Sequence, residues 1–172
     1  LAGLPRAELW PEVRPRAWTA VLDAAVALAA LVVVDLAAPI EEDEELAFDR
    51  VPYRRNLMTM TALDAADETI IVGSADPIGL RRVILAHRTL VDARPAVAER
   101  ASVALNRTPA SARRVQDASK AISDWTGSVP VALLPNEPGF ERAVWDGRPL
   151  GAVAPRSAWL RELRSLAGVL VR

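Results

Sequence analysis

A chain of 172 residues, 51% of them apolar, is long enough to bury one sizeable core, and nothing in its composition divides it, so residues 1–172 are expected to form a single domain. A formal net charge of −1 gives no long-range field for nucleic acid, and no local basic patch supplies a direct nucleic-acid signal. With no cysteine, disulfides, thiolate metal sites and cysteine nucleophiles are excluded, which suits a cytoplasmic protein, and the lone His87 argues against a multi-histidine metal centre.

The chain begins at Leu1 with no initiator methionine and no signal peptide, which is expected of a piece cut from something longer. From Pro11 onward, Val13, Ala17, Val21, Leu22, Ala25 and Leu28 recur at helical spacing, with Pro11 and Glu12 suited to a first turn. The most hydrophobic stretch, residues 24–34, lies between Asp23 and Asp35 and falls far short of the roughly 20 residues that span a bilayer, so it is expected in the core. Within it, Leu31-Val32-Val33-Val34-Asp35 is a β-branched run without alternation, as in a strand buried on both faces of a parallel sheet. The acidic run 41–45 reads as part of a solvated loop.

Similar apolar runs recur at residues 69–74, 102–106 and 129–134, with helical patterns between them. Residues 56–66 fill the first gap. Residues 77–91 fill the second, with Ile78, Val83, Ile84, His87 and Leu90 on one face, and Ala112, Val115, Ala118, Ile122 and Trp125 mark the third helix. A short helix is expected near residues 140–145. Another follows from Ser157 as N-cap, with Leu160, Leu163, Leu166 and Leu170 at helical spacing. Alternation of this kind calls for right-handed βαβ crossovers and a parallel sheet covered on both faces.

Ligands bind such sheets outside the carboxyl ends of the strands, so the residues that end each strand are the candidates for chemistry, and they should line one edge together. The first strand ends in Asp35, the second in Ser74 followed by Asp76 and Pro77, the third in Asn106-Arg107 and the fourth in Pro135-Asn136-Glu137. A carboxylate placed like Asp35 can hold a metal-bound water beside phosphates, or can order a loop or cap a helix. An asparagine placed like Asn106 can read a base edge with one donor and one acceptor, or can close a turn. Ser74 and Asp76 before Pro77 read as helix caps, and His87 as a packed or half-exposed helix residue. The five tryptophans sit mainly at helical core positions, and none is assigned to stacking on a base.

Taken in order, these segments resemble the MinD/ParA/CpaE-like P-loop ATPases. Leu31-Val32-Val33-Val34-Asp35 with Pro39 looks like the Walker B and switch II segment of that family, and residues 62–72 look like its "AL..AD.vivV" segment, continued by Asp76-Pro77-Ile78-Gly79-Leu80-Arg81. Val103-Ala104-Leu105-Asn106-Arg107 resembles the strand whose asparagine contacts adenine. Leu133-Leu134-Pro135-Asn136-Glu137 resembles the loop that closes over the base, and residues 141–150 with Ala154-Pro155-Arg156-Ser157 are similar to the tail before the family's last helix. The likeness runs from about Leu4 onward, and residues 4–12 are similar to actinobacterial CpaE-like members, whose roles lie in septum placement or in pilus and secretion assembly.

The resemblance implies a three-layer α/β/α sandwich with a mainly parallel sheet, of the P-loop NTPase, Rossmann-like type. It implies ATP and Mg2+ as ligands of the intact protein, with Asp35 acting on the metal through water, and Asn106, Arg107, Pro135, Asn136 and Glu137 on the adenine side. It further implies a homodimer formed around nucleotide, acting with a further protein in septum-site or chromosome positioning or in pilus or secretion assembly.

One departure stands out. The 172 residues hold no GxxxxGK[ST] and no two-lysine variant of it, and Lys120 is the sole lysine. In the family that loop and its strand lie upstream, so the chain is expected to be the C-terminal portion of such an ATPase domain, unable on its own to bind or hydrolyse ATP. No transmembrane segment and no membrane-targeting tail are expected. Two other readings remain open: a partner-binding scaffold that has lost ATPase activity, and an unrelated Rossmann-like or flavodoxin-like module.

Overall fold

The computed structural model describes residues 13–37 and 56–170. Residues 4–12, Pro39 and the acidic run 41–45, all singled out above, lie outside the described residues. The chain divides into two compact units, Leu1–Asp67 and Glu68–Arg172.

In the first unit, helix α1 (Pro15–Leu28) starts at Pro15; Pro11 and Glu12, expected in a first turn, lie outside the described residues. Proline suits a first helical position because its missing N–H would be unpaired there in any case. Helix α2 (Leu57–Ala65) buries Thr59, Met60, Ala62 and Leu63, whereas α1 buries none of its residues. The two are tied by Trp18, whose indole N–H donates to the Met58 carbonyl at 3.0 Å.

The apolar stretch 24–34 is not core. Leu28 and Val33 are 87% and 84% exposed, and Val26 and Leu31 are exposed as well. Nor do residues 31–35 form a strand; residues 31–37 run without regular structure. A β-branched run becomes a strand only when another strand pairs with its backbone, and the described residues of this unit contain none.

The second unit begins with strand β1 (Thr69–Ser74) and helix α3 (Pro77–Ala93), followed by a short helix α4 (Pro95–Glu99) and strand β2 (Ala101–Thr108). Helix α5 (Ala112–Thr126) leads to strand β3 (Ala132–Pro135), and α6 (Gly139–Trp145), α7 (Leu150–Val153) and α8 (Ala158–Leu170) complete it. The three strands form a parallel sheet in the order β1-β2-β3. β3 starts three residues later than the apolar run 129–134 suggests, and Val129 is exposed.

Both faces of this sheet are covered, for reasons visible in the alternation of β2. Val103 and Leu105 pack on one face with Val83 of α3 and Ala118 and Ile122 of α5. Ala104 packs on the other with Ala132, Leu134 and Leu166 of α8, joined by Ile70, Trp159 and Leu170. The helices are closed by local chemistry: Asp76 caps α3, Ser111 caps α5, and the Ser157 hydroxyl accepts from the Leu160 N–H at 3.2 Å at the start of α8. Gly127, at φ 77°, ends α5 in the left-handed region that favours glycine.

Helical spacing overstates the buried stripe in places. Ile78 and Trp125, expected on packed faces, are 67% and 64% exposed, and Trp145 is exposed also. Ile78 lies in the first turn of α3, beyond the last residues of β1, and Trp125 in the last turn of α5.

Candidate functional site at the strand ends

Because the strands are parallel, their carboxyl ends fall on one edge. Ser74 pairs with Asn106 across β1 and β2, and Thr108 pairs with Pro135 across β2 and β3. The ladder runs one step past each neighbour: the Ala75 N–H donates to the Asn106 carbonyl at 2.9 Å, and the Asn136 N–H to the Thr108 carbonyl at 3.2 Å. Asn106 and Arg107 on the central strand are thus flanked on one side by Ser74 and on the other by Pro135, Asn136 and Glu137. In open parallel sheets this edge is where ligands bind.

Asn106 shares its strand face with Ala104, the α8 side, and is half-buried. Its side-chain oxygen Oδ1 accepts two hydrogen bonds, from the Arg107 backbone N–H at 2.8 Å and from the indole Nε1–H of Trp159 at 3.2 Å. Its Nδ2 has no partner among the described residues. Arg107 is exposed and sits at φ 55°, a left-handed conformation uncommon outside glycine, and the bond from its N–H to the Asn106 side chain helps to hold it there. Glu137 is half-buried, and its Oε1 accepts from the Gly139 N–H at 2.8 Å, closing the turn into α6. Pro135 is half-buried at the end of β3, and Asn136 is exposed.

At the end of β1 the side chains serve the helix. Asp76 Oδ1 accepts from the backbone N–H groups of Ile78 and Gly79, both at 3.0 Å, and the Ser74 hydroxyl donates to its other oxygen. The Ser74 hydroxyl, and after it the Gly79 amide, hold the Asp76 carboxyl below its ordinary value of 3.8 against a smaller opposing effect of burial. His87 is half-buried within α3, as the sequence suggests.

Asp35 belongs to the first unit, where it is exposed and follows the run Leu31-Val32-Val33-Val34, which has no partner strand among the described residues. Among the described residues no group of three or more His, Cys, Asp or Glu side chains could hold a metal ion. The sole lysine, Lys120, is exposed on α5 and paired with Asp124 at 2.6 Å. No helix among the described residues is long and apolar enough to cross a membrane.

Sequence reasoning missed Trp159 and Phe140. Their rings meet edge to face with centroids 4.9 Å apart, behind the Asn106 amide. The signal was available in principle, since a packed indole has one N–H that must find an acceptor. Helical spacing alone does not say that this acceptor ends a strand 53 residues earlier.

No family model matches the sequence, and no curated protein does either. Among solved structures the chain is similar to a ParA family ATPase from Chlorobium tepidum TLS, with a TM-score of 0.76 over 99% of this chain and 18% identical residues. The chain spans 62% of that protein's length. Its α/β architecture, with a parallel sheet between helical layers, is therefore that of part of a ParA-like P-loop NTPase fold.

Proposed function

We propose that this chain supplies the base-binding edge of a nucleotide site in a ParA/MinD-like ATP-binding protein. The observation that carries the proposal is the Asn106 amide at the carboxyl end of the central parallel strand, its Nδ2 donor without a partner among the described residues, beside the Pro135-Asn136-Glu137 turn. The fold shared with a ParA family ATPase supports the same reading.

The donor set fits the base side of ATP: one amide donor, backbone groups past the strand ends, and a turn held by Glu137. It does not fit the phosphate side, because the chain has no phosphate-binding loop and its one lysine is paired on the surface of α5. In the intact protein Asp35 would steady a water on Mg2+, and bound Mg-ATP would supply the hydrolysable phosphoanhydride. The protein would form a homodimer around the nucleotide and couple hydrolysis to a positioning or assembly process at a septum, chromosome, pilus or secretion system.

Calorimetry and nitrogen-edited NMR test this on the chain itself. Mg-ATP should show no micromolar affinity, since phosphate contacts normally dominate. AMP at millimolar concentration should shift resonances confined to Asn106, Arg107, Thr108 and the 135–137 turn. Shifts centred elsewhere, or micromolar Mg-ATP binding, would refute the assignment.

A further inference from the structure

We infer that Trp159 is a positioning residue that turns Asn106 into a donor-only reader of the base; the inference rests on the nucleotide-site reading above. A free asparagine amide matches adenine bidentately, donating from Nδ2 to N7 and accepting at Oδ1 from the 6-amino group. Here the acceptor half is already in use. Oδ1 has two lone pairs, and both are taken, by the Arg107 N–H at 2.8 Å and the Trp159 indole N–H at 3.2 Å.

The orientation of the amide is fixed by its partners' chemistry. A backbone N–H and an indole N–H can only donate, so neither tolerates the Nδ2 group in place of Oδ1. Trp159 is itself held: its body packs on the α8 face of the sheet against the cluster of Ala104, Ala132, Leu134 and Leu166, and Phe140 meets it edge to face. The indole N–H is thereby aimed at the end of β2 by packing that does not depend on a ligand.

What remains for a base is the Nδ2 donor. It complements an acceptor such as N7, which adenine and guanine share, and guanine adds a second acceptor at O6. The adenine 6-amino group finds no acceptor on Asn106. This edge therefore selects a purine through its acceptor atoms and does not, through Asn106, prefer adenine to guanine.

The experiment compares AMP and GMP on the wild-type chain and on Trp159→Phe, following the Asn106 side-chain resonances by NMR. In the wild type the two affinities should agree within about threefold, because the shared N7 contact is the one made. Phenylalanine keeps a ring against Phe140 but frees one lone pair of Oδ1, so AMP should gain about tenfold over GMP, the value of one restored base contact. A purely structural role would weaken both nucleotides together. That result, or a wild-type chain that already favours AMP tenfold, overturns the inference.

A second measurement stands if Trp159→Phe does not fold. In Asn106→Ala, the Trp159 indole N–H should shift and exchange faster with solvent; an unmoved indole resonance shows that the bond is absent and overturns the inference. Should the Asn106 amide respond to neither nucleotide while the indole bond is intact, the base site itself falls, and donor-only recognition falls with it. That outcome differs visibly from one in which both nucleotides bind and Trp159→Phe leaves their ratio unchanged.

Discussion

Replacing Gly79 by alanine tests how the end of β1 is locked to the start of α3. A Cβ on Gly79 would lie 2.2 Å from the Ser74 carbonyl oxygen and 2.2 Å from its hydroxyl, against ordinary contact at 3.4 Å or more. The carbonyl is backbone at the strand's last residue, where the ladder holds Ser74 opposite Asn106 and the Ala75 N–H donates to the Asn106 carbonyl at 2.9 Å. It cannot yield without shifting either β1 or the first turn of α3, and a shifted turn also loosens the two amides that Asp76 accepts from. Overpacking of this kind costs about 1–3 kcal/mol, and the better helix propensity of alanine returns at most about 1 kcal/mol. A net loss of about 1–2 kcal/mol is expected, read as a lower urea midpoint at unchanged slope. Gly168→Ala in α8 is the control: its Cβ would meet nothing within 4 Å, so a gain of a few tenths to about 1 kcal/mol is expected. If Gly79→Ala proved as stable as the parent while Gly168→Ala behaved as stated, the close docking of α3 on β1 would be wrong.

The Thr69 hydroxyl is buried and has no partner among the described residues; Thr69→Val keeps the shape and the strand preference, so urea unfolding should show a gain of roughly 1 kcal/mol, and a loss would mean that the hydroxyl is satisfied. Asp76 has its folded-state value lowered below 3.8, chiefly by the Ser74 hydroxyl, so the stability it contributes is fully present above that value and is lost as pH falls through the folded-state value. The stability gap between wild type and Asp76→Asn should therefore be widest near neutrality and narrow in acid, and a gap constant down to about pH 2 would refute the sign.

The elements of the second unit were legible because their periodicity and their burial agree. The run 69–74 matches β1 residue for residue, and Val103 and Leu105 against Ala104 show the both-faces burial that an apolar run without alternation implies. The caps Asp76 and Ser157 were legible for a similar reason, since capping needs only local chain geometry. The run Leu31-Val32-Val33-Val34 shows the limit of this reasoning. Its composition is as strand-like as that of β1, but a strand is a property of a pair, and no described residue of its unit supplies the other member. Trp125 shows a second limit, because periodicity ranks the sides of a helix and does not say that its last turn, where Trp125 is 64% exposed, has anything to pack on.

The site was legible as a set of strand ends and illegible as a set of hydrogen bonds, and that difference bears on what the edge can do. Asn106, Arg107 and Glu137 are each engaged within the chain: the Arg107 N–H and the Trp159 indole hold the amide, and Glu137 holds the turn at Gly139. An edge fixed in this way loses little conformational freedom when a base arrives, so its few contacts act at full value although they are too few to bind tightly by themselves. Tight binding would have to come from phosphate contacts, for which the second unit offers no lysine outside the exposed pair Lys120 and Asp124. On the proposed reading, then, this edge chooses among bases while affinity is set elsewhere in the intact protein. Trp159→Phe should accordingly change which purine is favoured, whereas Asn106→Ala, which removes the contact that adenine and guanine share, should weaken both in parallel.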